Sequence, residues 1–142
     1  MPTRKALAKW NGDLKSGKGD MEFGSGAFKG AYSFNSRMED GPGTNPEELV
    51  AAAHAGCFSM ALAGDLGRAG LTPTSIATNA VLQFSNTSGK WTIDSIVLNV
   101  EASVPGIDQA KLEEIAAGTK DNCPVSRALT GVASITVNAK LV

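Results

Sequence analysis

The sequence holds one histidine, two cysteines and almost no excess of charge, with 13 Lys and Arg against 14 Asp and Glu. Each shortage excludes something. A net charge of −1 provides no broad field for nucleic acid or an anionic membrane surface. A lone histidine is thin ground for a Ser-His-Asp triad, and no such pattern accompanies it. There is no C-x-x-C pair, so a closed zinc site lacks its usual donors. No glycine-rich loop follows a strand pattern, which argues against a phosphate cradle. Met1-Pro2-Thr3-Arg4-Lys5 leads into no apolar run, so the expectation is no signal peptide and a cytoplasmic, reducing compartment. There, two cysteines are expected to be free, reactive or redox-cycling rather than a permanent staple. Repeats and low-complexity linkers are also lacking, and 142 residues fit a single domain over 1–142.

What the chain does have is one long apolar stretch opening on a helix start. Asn45 suits the N-cap and Pro46 the first helical position, where no N–H is needed. Glu47 and Glu48 follow at the positive end of the helix dipole, Glu48 three residues after the cap. The pattern runs to Gly67 or Gly70 with Arg68 near the negative end, a helix of about 24 residues. From Leu49 to Leu66 the only polar side chains are His54, Ser59 and Asp65. A helix apolar nearly all round needs cover nearly all round. A membrane span is the rival reading, weakened by the small transfer energy of Ala and Gly and by a mid-run histidine.

Before this helix, alternation over 4–10 and a short run at Met21–Phe23 predict a hairpin, and Ala31–Phe34 a third extended piece leading to Asn35-Ser36-Arg37. After it, Ile76–Phe84 and Trp91–Val104 predict two strands joined at Asn86–Gly89. Ile96, Leu98, Val100, Ala102 and Val104 share one face of the second. Asp108 can cap a helix ending near 118–120, and Asn122-Cys123-Pro124 starts a third, short helix. Ile135, Val137, Ala139 and Leu141 alternate in a last strand. The order βββ-α-ββ-αα-β reads as α+β with a largely antiparallel sheet packed on a long central helix. One sheet covers one side of that helix. The far side calls for a second copy by two-fold symmetry, or for the later helices to cover it within one chain.

Cys57 and Cys123 carry the chemistry candidates. A cysteine in an Ala-rich helix is ordinarily a small hydrophobe, and composition alone favours that reading of Cys57. Against it stand Gly56, costly in a helix interior unless something approaches closely, and His54 one turn earlier. Cys123 at a helix N-cap would have a lowered pKa, or would be a plain cap. The two sulfurs fit a peroxidatic and resolving pair. His54, Cys57 and Cys123 could instead supply three metal ligands, with no fourth evident. His54 is expected to be a hydrogen-bonded helix histidine. Arg37 matters if Cys57 must ionise, because a guanidinium keeps its charge when partly desolvated; otherwise it is an ordinary loop arginine.

The segments Asn45-Pro46-Glu47-Glu48-Leu49, Ala52-Ala53-His54-Ala55-Gly56-Cys57-Phe58-Ser59-Met60-Ala61-Leu62, Phe34-Asn35-Ser36-Arg37, Thr72-Pro73-Thr74-Ser75-Ile76, Val104-Pro105-Gly106-Ile107-Asp108 and Cys123-Pro124-Val125-Ser126 resemble the OsmC branch of the OsmC/Ohr family. The resemblance runs through essentially the whole chain. It implies an OsmC-like fold, an intertwined homodimer with sites at the subunit boundary, and a thiol peroxidase preferring organic hydroperoxides over hydrogen peroxide. It implies Cys57 as the peroxidatic cysteine, Cys123 as the resolving one, Arg37 as the active-site cation and Glu47 as the carboxylate that holds it. The implied partners are a second copy and a dithiol reductant, the lipoyl type among them, with no metal, flavin or haem required. A non-catalytic stress-related binding protein with an apolar groove at the dimer interface is the alternative. Ten residues, about 15 Å of straight helix, separate Glu47 from Cys57. An arginine held by Glu47 is therefore expected to serve the Cys57 of the other copy, unless the helix bends near Gly56.

Overall fold

A computed structural model describes all 142 residues. The chain divides into two compact units, Met1–Leu49 and Val50–Val142.

In the first unit, β1 (Ala6–Asn11), β2 (Lys18–Phe23) and β3 (Lys29–Ser33) form an antiparallel meander in that order. The β1–β2 turn is built on Asp13, whose Oδ1 accepts from the N–H groups of Lys15 (2.9 Å) and Ser16 (3.0 Å). Gly19 pairs with Trp10 on one side and Tyr32 on the other. The two rings meet over it with centroids 5.3 Å apart, and a Cβ at Gly19 would sit 2.5 Å from Tyr32 Cε1. The extended piece expected to reach Phe34 ends at Ser33, and the chain coils at once into α1 (Phe34–Met38). The cause is a reciprocal cap: Ser33 Oγ accepts from the Ser36 N–H (3.1 Å), and Ser36 Oγ accepts from the Ser33 N–H (2.9 Å). The Ser36 hydroxyl also donates to Thr44 O (2.7 Å), and Asn45 Nδ2 donates to Ser36 O (3.0 Å). These bonds set the entry to the long helix.

That helix, α2 (Pro46–Arg68), begins as the sequence indicates. Asn45 Oδ1 accepts from the Glu48 N–H at 2.8 Å. The Glu48 carboxylate does not close the expected box back onto Asn45; it accepts from Thr44 Oγ1 (2.8 Å). At the far end the Leu71 N–H reaches Leu66 O (2.9 Å) and the Gly70 N–H reaches Gly67 O (3.0 Å). With Gly70 at φ +77°, this is a Schellman stop. By length and composition alone α2 could cross a membrane.

The second unit carries β4 (Ser75–Thr87), β5 (Lys90–Ser103), α3 (Gln109–Asn122), α4 (Pro124–Ala128) and β6 (Ser134–Leu141). The sheet order is β4-β5-β6. β4 and β5 are antiparallel through a two-residue turn, Ser88 (φ 55°) and Gly89 (φ 79°), the handedness that matches strand twist. β6 lies parallel to β5, since the α3–α4 crossover returns the chain to the same end. The expected α+β order and largely antiparallel pairing hold, with the strands divided between two three-stranded sheets and one pair, β5 and β6, parallel. Asp108 caps α3, its Oδ1 accepting from the Lys111 N–H (2.8 Å).

The core of this unit joins Phe58, Leu62 and Leu66 of α2, the predicted face of β5 (Ile96, Leu98, Val100, Ala102), and Leu112, Ala116 and Cys123. His54, Phe58, Leu62 and Leu66 form one stripe at spacing four, each fully buried. Cover is one-sided rather than all-round: Met60 is 79% exposed, and no atom lies within 4 Å of a Cβ placed on Gly56. A single layer of sheet and short helices shields one stripe of a helix.

Candidate active site

Two clusters contain the residues singled out above. In the first unit α1 presents Arg37 in its last turn and the start of α2 presents Glu47. The guanidinium meets the carboxylate in a fork: Nη2 donates to Oε1 at 2.6 Å, and Nε donates to Oε1 (3.2 Å) and Oε2 (3.1 Å). Glu47 is 12% exposed and Arg37 37%. The carboxylate's hydrogen bonds raise the arginine's pKa further, so it stays cationic. The unpredicted helix α1 thus fixes the register that lets Arg37 meet Glu47.

In the second unit Cys57 and Cys123, 66 residues apart in sequence, are both free thiols with their sulfurs 3.3 Å apart. That is contact distance, short of the roughly 2.05 Å of a disulfide, and needs only a small approach to close. Cys57 is partly exposed on α2; Cys123 is fully buried at the α3–α4 junction. Cys123 ends α3, its N–H donating to Thr119 O (2.8 Å), and immediately precedes Pro124 of α4. α3 is itself tied to α2, since Thr119 Oγ1 donates to Asp65 Oδ2 (2.5 Å).

The two thiols are unequal. Burial pushes the Cys57 thiol up, the Val125 N–H offsets part of that, and the neighbouring Cys123 adds to it. Burial also acts to raise Cys123. There, however, the Ser126 N–H, the Ser126 hydroxyl, the Cys57 thiol and the Val125 N–H outweigh it and hold the thiol below its ordinary value. The sulfur makes no close capping bond, so this is stabilisation by dipoles converging on it. The first charge on the pair therefore rests on Cys123, in the direction expected for its place before Pro124.

His54 is hydrogen-bonded as expected, and its partner is Ser126, a residue with no predicted role. Its Nε2 lies 2.7 Å from Ser126 Oγ, with both residues buried, and its Nδ1 has no partner. The sequence signal for Ser126 was only its place in Cys123-Pro124-Val125-Ser126.

Comparison with known proteins places this architecture. Residues 39–138 match the model of OsmC-like proteins. This chain belongs to the OsmC-like family. Among relatives of this OsmC-like chain, peroxiredoxin OsmC of Escherichia coli is 46% identical over 139 residues, 97% of this chain and 96% of that protein. The organic hydroperoxide resistance protein of Xanthomonas axonopodis pv. citri is 31% identical over 98 residues, 68% and 67% of the two chains. The crystal structure of an OsmC-like protein from Mycoplasma pneumoniae shares the fold, with a TM-score of 0.78 at 19% identity, covering 99% of this chain and 98% of that one.

Proposed function

We propose that this OsmC-like protein is a cytoplasmic thiol peroxidase that reduces organic hydroperoxides through a Cys57 sulfenic acid and a Cys57–Cys123 disulfide. The observation that carries the reading is the pair of free thiols 3.3 Å apart, one reachable from solvent and one buried. A peroxide reaches the partly exposed sulfur, and the buried one can only resolve. The names of the Escherichia coli and Xanthomonas relatives support the same chemistry.

The Cys57 thiolate attacks the terminal oxygen of ROOH; an S–O bond forms, the O–O bond breaks, and the alkoxide leaves as ROH on taking a proton. The Cys123 thiolate then attacks the Cys57 sulfur, and the hydroxyl leaves as water with the remaining thiol proton. Two thiols and ROOH become one disulfide, ROH and water, ahead of the irreversible acids. A dithiol of the lipoyl class returns the disulfide to thiols by exchange. Because burial raises the Cys57 thiol, the first step calls for a cation. Arg37 supplies it and faces the charge developing on the leaving oxygen, oriented by Glu47. The ten residues between Glu47 and Cys57 along the continuous helix α2 favour an Arg37 contributed by a second copy. So does the uncovered face of α2 around Met60 and Gly56, which a second copy would bury.

Stopped-flow thiol oxidation with tert-butyl hydroperoxide and with hydrogen peroxide tests the reading, the organic peroxide being the faster. Cys57→Ser abolishes turnover. Cys123→Ser allows one oxidation and then accumulates sulfenic and sulfinic acid, seen by mass spectrometry. Wild-type protein that keeps both thiols under a modest excess of organic peroxide refutes it and leaves a non-catalytic binding role.

A further inference from the structure

The peroxidase reading uses four residues and leaves unexplained why the only histidine is buried against Ser126. His54 projects from α2 and is fully buried, with Nε2 2.7 Å from Ser126 Oγ and Nδ1 without a partner. Burial depresses its pKa and so favours the neutral imidazole. A neutral imidazole carries one proton, on one nitrogen or the other. Placed on Nδ1 it would be a buried N–H without an acceptor; placed on Nε2 it is used, and Nδ1 is left only an unfilled lone pair. Orphaned buried N–H groups are the rarer and costlier of the two. The Nε2–H form therefore prevails and donates to Ser126 Oγ. Ser126 stands three residues after Cys123 in the first turn of α4, and its N–H and hydroxyl both act to lower the Cys123 thiol.

We infer that His54 is a positioning residue for the resolving step: acting through Ser126 as a neutral hydrogen-bond donor, it holds Cys123 as the thiolate that captures the Cys57 sulfenic acid. The inference rests on the peroxidase reading for its consequence but not for its geometry. The groups that face Cys123 are few: Cys57 and, through Ser126, His54 from α2; the N–H groups of Val125 and Ser126 and the Ser126 hydroxyl from α4; and Thr119 O of α3, which takes the Cys123 N–H. In covalent terms His54 adds nothing to the balance. The thiol proton has already left Cys123 before the S–S bond forms, and it goes with the departing hydroxyl as water.

The test separates geometry from turnover. In a Cys57→Ser background the only thiol is Cys123, and its ultraviolet thiolate absorbance is titrated directly. Ser126→Ala and His54→Leu are expected to move that midpoint upward by about one pH unit, a tenfold loss of thiolate below it. Ser126→Thr, which keeps the hydroxyl, and His54→Gln, whose amide N–H can replace Nε2–H, are expected to stay near the parent. In the two-cysteine protein, a stoichiometric pulse of tert-butyl hydroperoxide is then divided between disulfide and Cys57 sulfinic acid. Ser126→Ala and His54→Leu are expected to raise the sulfinic share several-fold, a ratio independent of how fast the first oxidation runs. Unchanged midpoints in Ser126→Ala and His54→Leu proteins that unfold cooperatively overturn the inference, as does a His54→Gln protein that behaves like His54→Leu. Shifted midpoints in a chain that consumes no peroxide uphold the hydrogen-bond chain while refuting the peroxidase reading.

Discussion

At the scale of single residues, the sulfur pair shows how burial and local dipoles divide one chemistry between two identical side chains. Cys57 loses hydration without gaining donors enough to match it, whereas Cys123 is buried more deeply and still ionises more easily. The difference lies in the donors converging on each sulfur. His54 carries a separate consequence for stability. Its folded pKa lies below the ordinary 6.5, so the unfolded chain binds a proton more readily than the folded one. The stability this contributes is complete above about pH 6.5 and is lost as pH falls through the folded pKa. Urea unfolding between about pH 7 and pH 5 is expected to show wild-type stability falling more steeply than that of His54→Gln. Parallel slopes would mean that His54 is not the titrating group.

At the scale of elements, α2 is set at both ends by local chemistry. Asn45 holds the first turn, and the Leu66–Leu71 wrap closes the last. Two nearby glycines should respond in opposite ways. Gly70 sits at φ +77°, where a Cβ is strained, so Gly70→Ala is expected to destabilise by about 1 kcal/mol. Gly67 is helical, exposed and open around its Cα, so Gly67→Ala is expected to stabilise by about 0.5–1 kcal/mol. Denaturant midpoints at constant slope measure both, and two changes of the same sign would count against the Schellman stop. α1 was illegible in the sequence for an equally local reason. Its five residues are too few for a periodic signal, and its cap has serine at the third position, where glutamate or glutamine usually marks the motif.

At the scale of the whole molecule, the proposed trans arrangement makes a prediction that no single chain can meet. Cys57→Ser and Arg37→Ala are each expected to be inactive alone. Mixed and allowed to exchange copies, the two form heterodimers in which an intact Arg37 of one copy serves an intact Cys57 of the other. Random pairing is expected to restore about a quarter of wild-type activity. No recovery, with exchange verified by mass, would assign Arg37 to the Cys57 of its own chain.

The sequence by itself determined the periodic elements and their faces. The apolar alternation of β5 and β6, the caps at Asn45 and Asp108 and the proline starts of α2 and α4 are properties of residues within a few positions of one another. Such signals survive without a fold. The order of strands in two sheets, the parallel pairing of β6, the 3.3 Å approach of two sulfurs 66 residues apart and the approach of Ser126 to His54 were decided only by tertiary structure. Each depends on where a crossover brings the chain back, which no local pattern encodes. The family resemblance named Cys57 and Cys123, but the inequality of their ionisation follows from the burial and converging dipoles that packing creates.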